Sequence, residues 1–197
     1  MNLRISNREN ESRPPHIYGD GLIYFLTART ADRKLVFNST QGKNVFLKVW
    51  NNLTAEYGIS VYHWILLSNH YHAIIQIPVG ENLHRFMNRL HSITAKLSND
   101  IDRTKGRKVW HQYWDHCIRN EVDFWRHFNY ITYNPVKHGW CRSFEKALDY
   151  PFCGNRQWVR KRGKEFLSNV MMDYPIQNFV PEEVETPLNK LTGGTIA

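Results

Sequence analysis

ISVYHWILLSNHYHAIIQI, from Ile59 to Ile77, is the stretch whose reading decides the fold. Ile59–Leu67 and His70–Ile77 are both rich in β-branched, aliphatic and aromatic residues, and the polar Ser68-Asn69 between them predicts a tight antiparallel hairpin. On a strand, alternate side chains share a face. His70, His72, Ile74 and Gln76 therefore point one way, and Tyr71, Ala73, Ile75 and Ile77 point the other. The second set suits burial against helices. The first leaves two imidazoles about 7 Å apart along the backbone, given a rise of roughly 3.3 Å per residue, and convergent rotamers would let both hold one metal ion. Taken alone, the pair reads as sheet histidines that happen to alternate, so the metal reading requires something to complete the site.

Working outward, residues 1–16 are polar and contain Pro14-Pro15, which predicts a flexible N-terminal arm before the strand LIYFLTART. Phe46, Val49, Trp50, Leu53 and Tyr57 recur at helical spacing, with Gly58 where a C-terminal cap belongs. From Leu83, a second helix carries Phe86, Met87, Leu90, Thr94, Leu97 and Ile101 as its buried stripe. Arg85, Arg89, Ser92, Lys96, Asn99 and Arg103 follow one another on another face of it. KVWHQYWDHCI predicts a further strand, and EVDFWRHFNYITYN a third helix with Phe124, Phe128 and Ile131 on its apolar face, ended by Asn134-Pro135. The order β-α-β-β-α-β-α predicts an α+β fold, an antiparallel sheet with helices packed on one face, ferredoxin-like or RRM-like in architecture. Residues 17–150 are expected to form one domain, and 151–197 a basic then acidic C-terminal extension.

A formal charge of +8 points to a polyanionic partner, nucleic acid or an anionic membrane surface. No apolar run approaches the roughly 20 residues of a spanning helix, and MNLRISNREN lacks the apolar core of a signal peptide, so a soluble cytoplasmic protein without a membrane partner is expected. The three cysteines, Cys117, Cys141 and Cys153, suggest neither a disulfide framework nor a zinc knuckle.

On the third helix, at about 100° per residue, Asp123, His127, Tyr130 and Asn134 fall within about 60° of arc. If that stripe faces the histidine strand, Asn134 can supply an oxygen ligand and Tyr130 can reach a phosphate; otherwise Tyr130 is an amphipathic packing residue. HYH resembles the His-hydrophobic-His motif of single-strand nucleases that use a tyrosine nucleophile. YITYNPVKHGW, from Tyr130 to Trp140, resembles the Tyr-Ile-x-x-Asn-Pro signature of the REP-associated tyrosine transposases, relatives of the IS200-like transposases. The likeness runs from about Ile17 to Tyr150 and includes FLTART and VWHQYWDHCIRNEVDF.

The resemblance implies that Tyr130 is the nucleophile and that His70, His72 and Asn134 bind a divalent ion, Mg²⁺ or Mn²⁺. It implies a metal-dependent single-strand DNA endonuclease and transposase, acting near hairpins of repeated palindromic elements through a 5′-phosphotyrosine intermediate, in a prokaryotic, nucleoid-associated setting. Arg85, Arg89, Lys96, Arg103, Lys137, Arg160 and Arg162 are the expected DNA contacts, and the protein is expected to be a monomer or a homodimer. The rival readings are a non-catalytic nucleic-acid-binding module of RRM-like architecture and a hydrolytic metalloenzyme in which His70 and His72 activate water.

Overall fold

The computed structural model describes residues 4–6, 16–179 and 181, with backbone alone for 4–6 and 16–18. The elements run β1 (Arg4–Ser6), β2 (His16–Tyr18), β3 (Ile23–Thr30), α1 (Thr40–Glu56), β4 (Ser60–Leu66), β5 (His70–Gln76), α2 (Asn82–Ile101), β6 (Trp110–Cys117), α3 (Glu121–Lys137), α4 (Phe144–Leu148) and α5 (Asn155–Asp173). From β3 to α3 this is the expected order. β4, β5, β3 and β6 lie side by side, in that order, in one antiparallel sheet.

Local chemistry sets the element ends. Ser39 caps α1 by accepting the Gly42 N–H at 3.0 Å, and Gly58, at φ 64°, takes the left-handed turn that follows the helix. Asn120 caps α3 by accepting the Asp123 N–H at 2.9 Å. Asn134-Pro135, expected to end α3, does not. The helix runs on to Lys137 with Pro135 buried inside it, and His138 N–H still donates to Asn134 C=O at 3.1 Å. Proline lacks only its own N–H, so the turns on either side of it remain bonded.

Helices cover both faces of the sheet. α1 and α2 pack on the face bearing Tyr24, Leu26, Ala28, Tyr71, Ala73 and Ile75. α3, α4 and α5 pack on the face bearing Phe25, Ile65 and Ile74, with Phe128 and Ile131 among the buried residues. The first pair matches the expected one-sided layer, and the third helix takes the opposite side because Phe25 and Ile74 give that side an apolar patch of its own. α5 lies within the stretch expected as an extension, and its Leu167 and Val170 are buried in this second core. Its helical run is interrupted at Gly163, where φ is 85°. Of the expected flexible arm, Arg4–Ser6 pairs antiparallel with His16–Tyr18, while residues 1–3 and 7–15 lie outside the described residues, as does the acidic stretch from 182 onward. No helix among the described residues is long and apolar enough to cross a membrane.

Each core holds a histidine. His91 stacks on Trp110 with ring centroids 4.6 Å apart, and His63 stacks on Phe128 at 4.2 Å. Burial pushes both imidazoles down to about 3. A histidine kept neutral by folding binds fewer protons than its unfolded counterpart, so its contribution is complete above the ordinary value near 6.5 and is lost as pH falls from there toward 3. Urea denaturation at pH 7 and pH 5 should show lower stability at the lower pH, and His91→Gln, which retains a partner for the Tyr71 hydroxyl, should reduce that difference.

Candidate active site

The pairing of β3 with β5 places Thr27 opposite His72 and Arg29 opposite His70, and on its other edge Thr27 meets Trp114 of β6. His72, Thr27 and Trp114 thus form one row across three strands. α3 lays Tyr130 over this row, with its ring 5.1 Å from that of His72 and edge-on. The two histidine rings are 5.1 Å apart, and His138, just past the end of α3, stands 4.7 Å from His70. Thr27, Arg29, Arg33, Asn69, His70, His72, Trp114, Tyr130, Lys137 and His138 line a cavity of about 260 Å³ at this end of the sheet.

Hydrogen bonds to Nδ1 anchor both histidine rings, and for His70 the partner also sets the tautomer. Asn69 Nδ2 donates to the Arg33 carbonyl at 3.2 Å, so its Oδ1 is left to accept from His70 Nδ1 at 2.7 Å. The lone pair of His70 then lies on Nε2. His72 Nδ1 bonds Thr27 Oγ1 at 2.9 Å, and its buried Nε2 has no hydrogen-bond partner among the described residues. Both side-chain polar atoms of Asn134 are likewise buried without a well-formed hydrogen bond among them, although the amide stands near enough to His70 to favour its protonated form. Burial is the largest cause that pushes His70 down to about 3, followed by His138, and burial with His70 and His138 holds His72 well below the usual histidine range. These are neutral imidazoles with available lone pairs beside an unengaged amide oxygen. Buried polar atoms left unpaired are costly, and this donor set fits a divalent cation of the Mg²⁺ or Mn²⁺ type, with nitrogen favouring Mn²⁺ over an all-oxygen site.

A second polar group lies one row along the sheet. His116 Nε2 is 2.9 Å from Asp123 Oδ2, and His127 Nδ1 is 3.0 Å from Asp123 Oδ1. Burial alone raises the Asp123 carboxyl, but hydrogen bonds from His116, His127 and the Arg119 N–H together outweigh it and hold the carboxyl well below the usual range. Ligand-capable atoms of the three residues lie within 4.8 Å of one another, so the group is able to hold a metal ion. It differs from the first in that both histidines already bond the carboxylate, and His127 Nδ1 also donates to the Asp123 carbonyl at 2.8 Å. Phe25 separates the two groups, stacked on His72 at 5.4 Å and touching His127 at 4.4 Å.

The structure brings Tyr130, His70, His72, Asn134 and Lys137 together. Tyr130 is 3% exposed, whereas Tyr133, three residues on, is turned outward. Of the expected DNA contacts, Arg85, Arg89, Lys96 and Arg103 lie on or just past α2, across the sheet from α3. Lys96 and Arg103 line a depression with Lys105 near the start of β6, while Arg89 ion-pairs with Glu56. Arg160 and Arg162 are exposed on α5. Thr27, Arg29, Arg33, Asn69, Trp114 and His138 were not singled out from the sequence. Phe25, Thr27 and Arg29 do alternate onto one face of β3, but only the strand pairing shows that this face continues that of His70 and His72.

The family model described as "Transposase IS200 like" matches residues 20–144. A REP-associated tyrosine transposase of Escherichia coli is 29% identical over 139 residues, 68% of this chain and 77% of that protein. A putative REP-associated tyrosine transposase of Haemophilus influenzae is 25% identical over 142 residues, 67% of this chain and 78% of the relative. A solved structure of a REP-associated tyrosine transposase bound to a REP hairpin superposes with a TM-score of 0.64 at 26% identity, covering 78% of this chain and 87% of the other.

If the unpartnered atoms define the cation site, replacing both His70 and His72 by alanine should abolish Mn²⁺ binding in titration calorimetry, whereas Tyr130→Phe should retain it. Unchanged Mn²⁺ affinity in the double variant would return His70 and His72 to ordinary sheet histidines and move the site to His116, Asp123 and His127.

Proposed function

The chain belongs to the IS200-like transposase family, whose matched relatives are named tyrosine transposases, and from that premise we propose that it cleaves and rejoins single-stranded DNA beside hairpins of palindromic repeats, with Tyr130 as nucleophile. The observation that carries this reading is the convergence of a phenol and two imidazoles on one cation-lined cavity whose lining, among the described residues, includes no carboxylate. The Tyr130 oxygen attacks a backbone phosphorus in line. The Oη–P bond forms, the P–O3′ bond breaks, the phenol proton is lost to solvent, and the departing oxygen is protonated as a 3′ hydroxyl. The phosphodiester is conserved as a 5′ phosphotyrosine, so attack by another 3′ hydroxyl releases Tyr130 and joins strands. Asn69 holds His70 in the tautomer whose lone pair lies on Nε2, and Thr27 anchors the His72 ring through Nδ1. A divalent ion held by His70, His72 and Asn134 supplies Lewis-acid neutralisation of the phosphate oxygens when bound. Arg29 and Arg33 favour an anionic backbone in the cavity.

The covalent step is tested by incubating the protein with a hairpin carrying a single-stranded flank, in Mn²⁺, and denaturing. The native protein should yield a denaturation-resistant DNA adduct, and Tyr130→Phe should yield none while binding the hairpin as before. An adduct that persists in the variant would discard Tyr130 as nucleophile.

The hairpin reading also assigns a path to the charge. α2 ends beside the start of β6, where Trp110 pairs with Thr30, at the same end of the sheet as Arg29 and His70. Lys96 and Arg103 are thus placed to track a strand leaving the cavity, whereas Arg85 and Arg89 lie toward the far end of α2. Gel shifts over a salt series should show Lys96→Gln with Arg103→Gln weakening hairpin binding and flattening its salt dependence by about 0.7 to 0.9 per lost phosphate contact. Arg85→Gln with Arg89→Gln should do less. Equal or tighter binding of the native protein to a plain duplex would count against hairpin recognition itself.

A further inference from the structure

Lys137 stands two helical turns beyond Tyr130 on α3. Its Nζ lies 3.3 Å from the Tyr130 hydroxyl and 4.6 Å from the centre of the ring. A lysine that only tracks phosphate has no reason to turn its ammonium back over a phenol, because the group is a compact charge that water solvates strongly. The other cations of the cavity wall, among the described residues, are Arg29 and Arg33. Arg29 instead lies over Trp114 of the same cavity wall at 5.2 Å. Partial burial also lowers Lys137 below the ordinary lysine value, as expected for a head group drawn toward the cavity wall rather than held in bulk water.

We propose that Lys137 is a catalytic residue of strand transfer, donating to the Tyr130 oxygen and carrying its positive charge to the phosphoryl group as that oxygen bonds to phosphorus. The proposal rests on the reading of Tyr130 as nucleophile. As the Oη–P bond forms and the P–O3′ bond breaks, negative charge moves from the phenol oxygen onto the non-bridging oxygens and then to the leaving 3′ oxygen. An ammonium has three donors, so one can stay on Oη while a second reaches a non-bridging oxygen of the phosphate under attack. In the rejoining direction Oη is the leaving group, and the same donor stabilises it as it departs. Removing the charge should therefore slow cleavage and rejoining by the same factor and leave the balance between free and joined DNA unchanged.

The test is single-turnover adduct formation over a range of protein concentrations in excess over a labelled hairpin, with Lys137→Met and Lys137→Arg compared with the native protein. Loss of one preorganised donor to a developing anion lowers rates by about 10²–10³-fold, and Lys137→Met should lower the rate at saturation by that order while half-saturation and its salt dependence move little. Lys137→Arg should recover part of the rate. A second measurement starts from purified adduct and adds a strand with a free 3′ hydroxyl; Lys137→Met should rejoin more slowly by a matching factor. If Lys137→Met matches the native rate at saturation and shifts only half-saturation, Lys137 is a backbone contact and the proposal is overturned. It is equally overturned if cleavage slows and rejoining does not. Tyr130→Phe is run alongside: an adduct in that variant, or none with the native protein, sinks the nucleophile reading itself, whereas a normal pair of controls with an unaffected Lys137→Met sinks only the role given to the lysine.

Discussion

The register between β3 and β5 is the constraint on which the rest depends. Side chains alternate along a strand with a period of two, so a slip of one residue sends every side chain to the opposite face. Here it would bury His70 and His72 under α1 and α2 and turn Tyr71 and Ala73 toward α3. Two cores hold the register from opposite sides. Leu26, Ala73 and Ile75 are fully buried on one face, and Phe25 and Ile74 on the other. Only beyond Phe25 does the second face turn polar, with Thr27 and Arg29 beside His72 and His70. The same strand pair therefore supplies apolar packing along part of its length and the site at its end.

Helix α3 meets that sheet with a polar stripe, which is unusual for a buried helix face and is stabilised by pairing almost every group on it. Asp123 is held by two imidazoles and a backbone N–H, and His127 by Asp123. Thr132 Oγ1 meets His63 Nε2 at 3.1 Å, and Asn129 Nδ2 donates to the Val170 and Tyr174 carbonyls at 2.8 Å each, tying α3 to α5. Asn134, one turn after Tyr130, is the member of the stripe that remains unengaged on both its polar atoms. The network around it fixes the helix rigidly enough that this amide is presented to the histidines rather than swung toward solvent. Phe25 then keeps the two polar groups of the sheet apart, so that the Asp123 carboxylate is engaged by His116 and His127 and not by the cavity.

What was legible in the sequence is what depends on neighbours close in the chain. The alternation from His70 to Gln76 gave the two faces of β5, and the helical spacing of Tyr130 and Asn134 gave their common stripe. What depends on distant pairing was not legible. Thr27 becomes a partner of His72 only through a contact 45 residues away in the chain, and nothing in FLTART distinguishes a site residue from a packed threonine. Which face α3 would cover was hidden for the same reason, since both faces of β3 are apolar near Phe25. The stripe of α2 shows the reverse error. Arg89 follows Arg85 at regular spacing, but its charge is taken by Glu56, 33 residues earlier, so periodicity alone overstated how much of that face is free for DNA. Helix α5 escaped because its charged run RQWVRKRGK masks a narrow apolar edge carried by Leu167 and Val170.

Coverage of the sheet also bears on the rival readings. A nucleic-acid module of RRM-like architecture stacks bases on aromatic side chains of an open sheet face. Here α1 and α2 close one face and α3 with α5 closes the other, and the aromatics that such a face would offer, Phe25 and Tyr71, are buried at 0% and 2% exposure. A water-activating hydrolase could use the same imidazoles of His70 and His72, so what distinguishes the transfer reading is the phenol set against them. The Asp123 carboxylate is engaged by His116 and His127 on the far side of Phe25, and the cavity lining offers a phenol, an ammonium, two guanidinium groups and three imidazoles. With cations to hold a phosphate and a buried phenol beside the histidine row, the end of this sheet is suited to phosphoryl transfer to a side chain.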